Sequence, residues 1–366
     1  MRERLLKIVG KEAYYLQIHT FHSYCSQVMN NNPEFFPLRN DSEALEDLEC
    51  YQIFENLIDQ LKPKNLRPLN DHYHYLKDII KAISDLKREG ISLLEFEDII
   101  RAEKQQLVRL KEESRSKIKI KKAVKDLNKN KELLVIYQAY QQELIDSNRY
   151  DFDDMINFVI EAFEKHPELL LEQQEQLQHF LVDEYQDSNN SQTRLLNLLA
   201  SYWPKQGLEP DIFAVGDPNQ AIYRFQGASI ENVLAFTRQY PSATVITLNT
   251  AYRCPQNLYD TASELIKNNQ LSTFTSQNIE IDLATKLQSS KGQGNKIVLH
   301  VAPTATLEVI YVVEEIKKLL AKGVKAQEIA VLYRTHAEAK ELVEVLNKWQ
   351  IAYQLNKGDD ILQSVL

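Results

Sequence analysis

The chain has 366 residues, 43% hydrophobic and 26% charged, with a mean hydropathy of −0.41 and a formal net charge of −9. At a rate of ~100–200 residues per domain that length predicts two or three domains with room for sizeable cores. No stretch approaches the ~20 apolar residues of a bilayer crossing, and Met1-Arg2-Glu3-Arg4 leads into no apolar signal region, so the expectation is no membrane and a cytoplasmic location. In chain order, Ala13–His19 alternates like a strand, and Thr20 is placed to cap a helix that starts at Phe21. From residue 42 to about 145 the apolar spacing is helical, broken by Pro63, Pro68 and Gly90, with almost no strand signal. After Asp151 short apolar runs return at His179–Val182, Ile212–Val215 and Val245–Leu248, separated by helical stretches, which is the pattern of a parallel α/β sheet. A polar, glycine-containing segment, Gln288–Asn295, then precedes expected strands at Lys296–Val301, Ile329–Tyr333 and Ile351–Leu355 and expected helices at Leu307–Ala321 and Ala337–Trp349.

Charge is uneven. Residues 101–131 hold twelve Lys and Arg against four Asp and Glu, a local +8, so the other 335 residues carry −17. Such a block reads either as a solvated helix face or as an electrostatic footprint for a polyanion. Three widely spaced cysteines, Cys25, Cys50 and Cys254, make neither a disulfide framework nor a CxxC metal pair. Only nine glycines occur, and no two are spaced as the phosphate-cradling loop GxxxxGK[ST] requires. Two of the nine, Gly216 and Gly227, bracket one short segment, which therefore needs backbone freedom.

That segment and its neighbours carry the chemistry. Leu181-Val182-Asp183-Glu184-Tyr185-Gln186-Asp187 is an apolar run ending in adjacent carboxylates, and ligands of open parallel sheets bind at the carboxyl ends of strands. Mg²⁺ carried on nucleotide phosphates asks for one such carboxylate, and a neighbour can orient the attacking water. Asp183 suits the first role and Glu184 the second, although a strand ending in Asp-Glu is commonly only a solvated turn. In Gly216-Asp217-Pro218-Asn219-Gln220-Ala221-Ile222-Tyr223-Arg224-Phe225, Gln220 is placed to sense a phosphate, and Tyr223 and Phe225 offer faces for unpaired bases or, alternatively, for a core. Leu248-Asn249-Thr250-Ala251-Tyr252-Arg253 puts an aromatic ring and a guanidinium beyond a third apolar run, suited to stacking on a nucleobase and to neutralising phosphoryl charge.

In this order the three segments resemble the ATPase core of the superfamily 1 DNA helicases of the UvrD, Rep and PcrA type. Thr20-Phe21-His22-Ser23 is similar to that family's TFHS element, Tyr150-Asp151-Phe152-Asp153-Asp154-Met155 to its DFDDL element, and Ile329–Arg334 to the IAVLYR strand that opens its second motor lobe. The resemblance implies an α/β fold: a RecA-like first lobe from residues 1–29 and 149–255, lacking the P-loop strand, and a helical insert over 30–148. A connecting helix and linker would span 256–295, and a second RecA-like lobe would begin at 296–366. It implies ATP and Mg²⁺ as cofactors, with Asp183 on the metal, Glu184 activating water, Gln220 and Arg253 on the γ-phosphate, and Tyr252 on the adenine. It implies Thr20, His22, Tyr223 and Phe225 on DNA, with single strands and duplex–single-strand junctions as partners. The resemblance further implies 3′-to-5′ translocation in repair, replication or recombination. Two positions depart from the family pattern: Gln226 stands where an Arg is usual, and Ala251 where an Asn is usual. With no P-loop in the chain, the expectation is a helicase truncated at both ends, with a partner subunit or upstream polypeptide supplying that loop. A non-catalytic DNA-binding or accessory remnant is the alternative.

Overall fold

The computed structural model describes residues 2–37, 42–113, 116–220, 230–267, 273–276, 279–282 and 286–355. Helix α1 (Arg2–Val9) runs into a 3-10 turn, Gly10–Tyr14, before α2 (Phe21–Asn31). Thr20 caps α2 as its sequence predicts: its Oγ1 accepts from the Ser23 N–H at 3.2 Å, and the Ser23 Oγ accepts from the Thr20 N–H at 2.9 Å. The strand expected at Ala13–His19 does not form. A strand exists only through a neighbouring backbone, and alternation of side chains does not provide one. Tyr14, Tyr15 and Leu16 accordingly stay exposed.

The next elements are β1 (Glu43–Ala44), α3 (Asp47–Leu61), α4 (Leu76–Arg88), α5 (Leu93–Glu113), α6 (Lys117–Asp146) and β2 (Arg149–Tyr150). β1 and β2 pair in parallel, Glu43 with Arg149 and Ala44 with Tyr150, so the chain enters and leaves this helical stretch at one place. Arg149 reinforces the closure with ion pairs to Glu43 at 2.6 Å and Glu49 at 3.3 Å. The four helices build a core of their own from Phe54, Ile58, Ile79, Ile83, Ile136 and Tyr140, among others. All of its fully buried members lie between residues 45 and 144.

A separate core joins α2 to α7 (Phe152–Lys165), α8 (Pro167–Gln176) and α9 (Asn190–Ala200), through Cys25, Val28, Val159, Phe163, Leu169 and Leu195. Between and beyond these helices run β3 (His179–Val182), the short α10 (Tyr202–Lys205) and β4 (Asp211–Ala214). β3 and β4 pair in parallel, His179 opposite Asp211 through Val182 opposite Ala214. Two further bonds carry the ladder past the strand ends: Val215 N–H to the Val182 carbonyl and Tyr185 N–H to the Val215 carbonyl, both 2.9 Å. α11 (Ile230–Gln239) lays Phe236 edge-on against Tyr185, ring centroids 5.2 Å apart.

The chain then gives β5 (Thr250–Ala251), α12 (Gln256–Ile266), the antiparallel pair β6 (Thr273–Ser276) and β7 (Ile279–Asp282), β8 (Gln288–Ser289), α13 (Ala305–Ala321) and α14 (His336–Lys348). It divides into two compact units, Met1–Leu248 with Leu265–Thr285, and Asn249–Glu264 with Lys286–Leu366. In the second unit β5 pairs in parallel with β8. The Gln288–Asn295 segment is hydrogen-bonded along its length: Ser289 Oγ to the Cys254 carbonyl at 2.6 Å, Gln256 N–H to the Gly292 carbonyl at 2.7 Å, and Asn257 Nδ2 to the Asn295 carbonyl at 2.7 Å. A Cβ on Gly294 would meet Pro255 Cγ at 2.4 Å, so only glycine permits this approach. Both helices expected in this unit are present within a residue or two. The apolar runs 245–248, 296–301, 329–333 and 351–355 pair with no strand among the described residues. They therefore leave Ile246, Leu248, Leu299, Val301 and Leu332 exposed. The α/β class with parallel pairing holds, carried by β3–β4 and β5–β8.

Candidate nucleotide and nucleic-acid site

The carboxyl ends of β3 and β4 meet where the two strongest sequence motifs begin. Asp183 follows β3 and is exposed, and its Oδ1 accepts the Glu184 backbone N–H at 3.1 Å. Glu184 has φ +51° and ψ +44°, the left-handed region that a non-glycine residue occupies only when its surroundings hold it there. This twist turns the chain into the 3-10 turn Tyr185–Asp187, which buries Tyr185 and Gln186. Both ends of the Gln186 amide are then engaged: Nε2 donates to Glu184 Oε2 at 2.7 Å, and Oε1 accepts the Asp217 N–H at 3.0 Å. Asp217 passes the connection on, with Oδ1 accepting the Asn219 N–H at 2.9 Å and Oδ2 accepting Gln220 Nε2 at 2.8 Å. One hydrogen-bonded path thus joins Glu184 to Gln220 across the two strand ends.

Gly216 makes this possible. A Cβ there would lie 2.7 Å from Gln186 Oε1 and 3.2 Å from the Gln186 nitrogen, so the position admits only glycine while the amide stays in place. Burial, and next to it the Glu184 charge, pushes the Asp187 carboxyl above the usual carboxylate range, and its Oδ1 has no hydrogen-bond partner among the described residues. Among the described residues no group of three His, Cys, Asp or Glu side chains is placed to hold a metal. A closed protein cage is therefore absent there, and exposed Asp183 beside Glu184 suits the other arrangement, Mg²⁺ taking one or two carboxylates and otherwise phosphate oxygens and water. Burial pushes the Cys25 thiol up to about 12 and raises Cys50.

The remaining residues named from sequence are distributed as follows. Thr20 spends its hydroxyl on the α2 cap, and half-buried His22 stands edge-on to the Phe152 ring, centroids 6.1 Å apart. Phe152 is 60% exposed although it opens α7 between two carboxylates that are engaged elsewhere. The sequence reading missed it, and its signal is an aromatic inside an acidic stretch, where a core role is unnatural. Tyr223 and Phe225 lie outside the described residues. In the second unit, Tyr252 is 72% exposed and Arg253 is exposed, the latter's carbonyl accepting Lys291 Nζ at 2.8 Å.

The sequence also missed a buried ionic cluster behind Phe152. Lys87 of α4, 1% exposed, donates to Asp151 Oδ2 at 2.5 Å and lies 2.8 Å from Asp154 Oδ1. Tyr140 and Gln141 of α6 donate to the same two carboxylates, and Ser84 and Arg88 of α4 to Asp153. The whole acidic element is thereby clamped to the helical stretch.

A family model for the UvrD/REP helicase N-terminal domain matches residues 1–241, and one for the UvrD-like helicase C-terminal domain matches residues 246–363. The chain belongs to the UvrD/REP helicase family. Relatives include the ATP-dependent DNA helicases PcrA of Staphylococcus aureus and Staphylococcus epidermidis, each 32% identical over 360 residues. Those matches cover 98% of this chain and 43% of each relative, so the chain spans less than half their length. Membership accounts for the α/β fold and for the order of the three motif segments. No described helix is long and apolar enough to cross a membrane.

Proposed function

We propose that this chain supplies part of the motor of an ATP-dependent DNA helicase, translocating 3′ to 5′ along single strands and acting at duplex–single-strand junctions during repair, replication or recombination in the cytoplasm. The observation that carries the reading is the path from Glu184 through Gln186 and Asp217 to Gln220 at the ends of two paired parallel strands. In this reading Asp183 would hold Mg²⁺, which when bound neutralises phosphate charge. Glu184 accepts a proton from the attacking water, Gln220 and Arg253 bear on the γ-phosphate, and Tyr252 stacks on adenine. Thr20, His22, Tyr223 and Phe225 meet the DNA, and exposed Phe152 joins them beside His22. Residues 1–29 and 149–255 form the first RecA-like lobe around a helical insert of 30–148; 256–295 connects it to the second lobe at 296–366.

The 366 residues contain no GxxxxGK[ST] loop, whose backbone N–H groups and lysine position the phosphates in such enzymes. The loop then comes from further polypeptide or a partner subunit, and the chain alone binds Mg·ATP weakly with little turnover. The same absence favours, as a second reading, a DNA-binding remnant without catalysis. The deciding experiment supplies the loop in cis, followed by assay of DNA-stimulated ATP hydrolysis. Hydrolysis that disappears in Glu184→Gln supports the motor. Tight single-strand binding with no hydrolysis leaves the second reading in its place.

A further inference from the structure

We infer that Gln186 is a positioning residue that locks the Glu184 carboxylate to the Asp217–Gln220 turn, so that the carboxylate and the turn shift as one body. The inference rests on the proposed roles of Glu184 and Gln220 and adds to them the part that connects the two. Gln186 is 1% exposed, and both ends of its amide are committed in opposite senses, one donating to Glu184 and one accepting from Asp217. No other residue type does both at this length. Glutamate would accept from Asp217 but repel Glu184, lysine would donate to Glu184 but leave the Asp217 N–H without an acceptor, and methionine would do neither. The space the amide fills exists because position 216 has no side chain, since a Cβ there would stand 2.7 Å from Oε1. Glu184 is held in a left-handed conformation at one end of the path, and Asp217 holds the Gln220 amide at the other. A displacement at either end therefore has a continuous hydrogen-bonded route to the other, which packing of separate side chains would not supply.

Amide hydrogen exchange of the full chain, followed on a peptide covering 216–220, tests this without nucleotide. Gln186→Met should speed exchange at Asp217 by roughly two- to tenfold, the range one neutral hydrogen bond spans. Gly216→Ala should do the same by displacing the amide, and Gln186→Glu should keep the protection because its carboxylate still accepts. The second arm measures coupling. Glu184→Gln weakens the bond to Gln186 and should change exchange at 216–220 in the wild-type background but not in Gln186→Met. An equal effect of Glu184→Gln in both backgrounds, no effect in either, or Asp217 exchange unaltered by Gln186→Met overturns the inference. None of these readouts needs hydrolysis, so a failed motor and a failed connection are told apart.

Discussion

Removing the Lys87 ammonium would leave two carboxylates without their buried counter-charge. Its side chain is 0% exposed and serves Asp151, 23% exposed, and Asp154, 4% exposed, while its charge also lies over the Tyr140 ring at 4.8 Å from the centroid. Burial lowers the pKa of a lone ammonium, but here the two carboxylates outweigh burial and hold Lys87 above its ordinary range. Lys87→Met keeps the volume and strands the carboxylates, and breaking a buried pair by removing one partner costs about 3–5 kcal/mol. At about 2–4 °C per kcal/mol for 150–250 residues, the melting temperature should fall by roughly 6–20 °C.

The pH dependence has a definite sign. Burial opposes charge on Asp151, yet Lys87 and the hydrogen bonds hold its carboxyl below the usual range. Its contribution is present above an unfolded value of ~3.9 and is lost as pH falls through the folded value. Burial, with the Asp151 charge adding to it, raises Asp154, so its ionised form costs stability that returns as pH falls toward the unfolded value. In Lys87→Met both carboxyls are driven up, and the deficit should shrink between about pH 8 and pH 5, because protonation removes the uncompensated charge. Asp151→Asn should accordingly cost more than Asp154→Asn. Thermal and urea unfolding at the two pH values measure this, and a deficit under ~1 kcal/mol, or one equal at both pH values, refutes the reasoning.

Exposed Phe152 should separate binding from stability: Phe152→Ala should change unfolding by no more than about 0.5 kcal/mol while weakening single-strand binding by ~1–3 kcal/mol in fluorescence anisotropy. Tyr223→Ala should weaken single-strand binding by the same ~1–3 kcal/mol, whereas a loss of ~3–5 kcal/mol in stability with unaltered affinity would make that ring core. Lys117, Lys119, Lys121 and Lys122 are all exposed on α6; if they meet phosphates, each Lys→Gln change should flatten the slope of log K against log salt by roughly 0.7–0.9, and an unchanged slope would make them a solvated face.

What the sequence discloses and what it hides divide along a physical line. β3 and β4 are legible because each is an apolar run of four or five residues ended by acids, and α2 because Thr20 and Ser23 write its capping box locally. The helical stretch is legible from periodicity, and its core falls within it. Pairing is not local, so the apolar runs at 13–19 and 296–301 read as strands although neither pairs with a strand among the described residues. Lys87 was hidden for a similar reason. In Ile83-Ser84-Asp85-Leu86-Lys87-Arg88 it reads as one more surface charge, and its partners lie 64 and 67 residues onward. Gln186 was hidden by a missing side chain: its role follows from the absent Cβ of Gly216, thirty residues away.

Glu184 gathers these threads, because its backbone and its side chain make opposite demands. Its φ of +51° costs a non-glycine residue on the order of 1–3 kcal/mol, which the fold retains while the carboxylate stands at the strand end. Glu184→Ala keeps the strained backbone and loses the bond from Gln186. Glu184→Gly loses the same bond and relieves the strain, but returns roughly 0.5–1 kcal/mol as extra freedom of the unfolded chain. The glycine variant should therefore be more stable than the alanine variant by ~1 kcal/mol in urea unfolding, with both equally unable to support hydrolysis in a loop-restored protein. Because both variants lack the carboxylate, that difference isolates the backbone strain at position 184 from the side chain's own contacts. Equal stability, or a more stable alanine variant, would mean that position 184 is under no backbone strain and that its conformation needs no functional explanation.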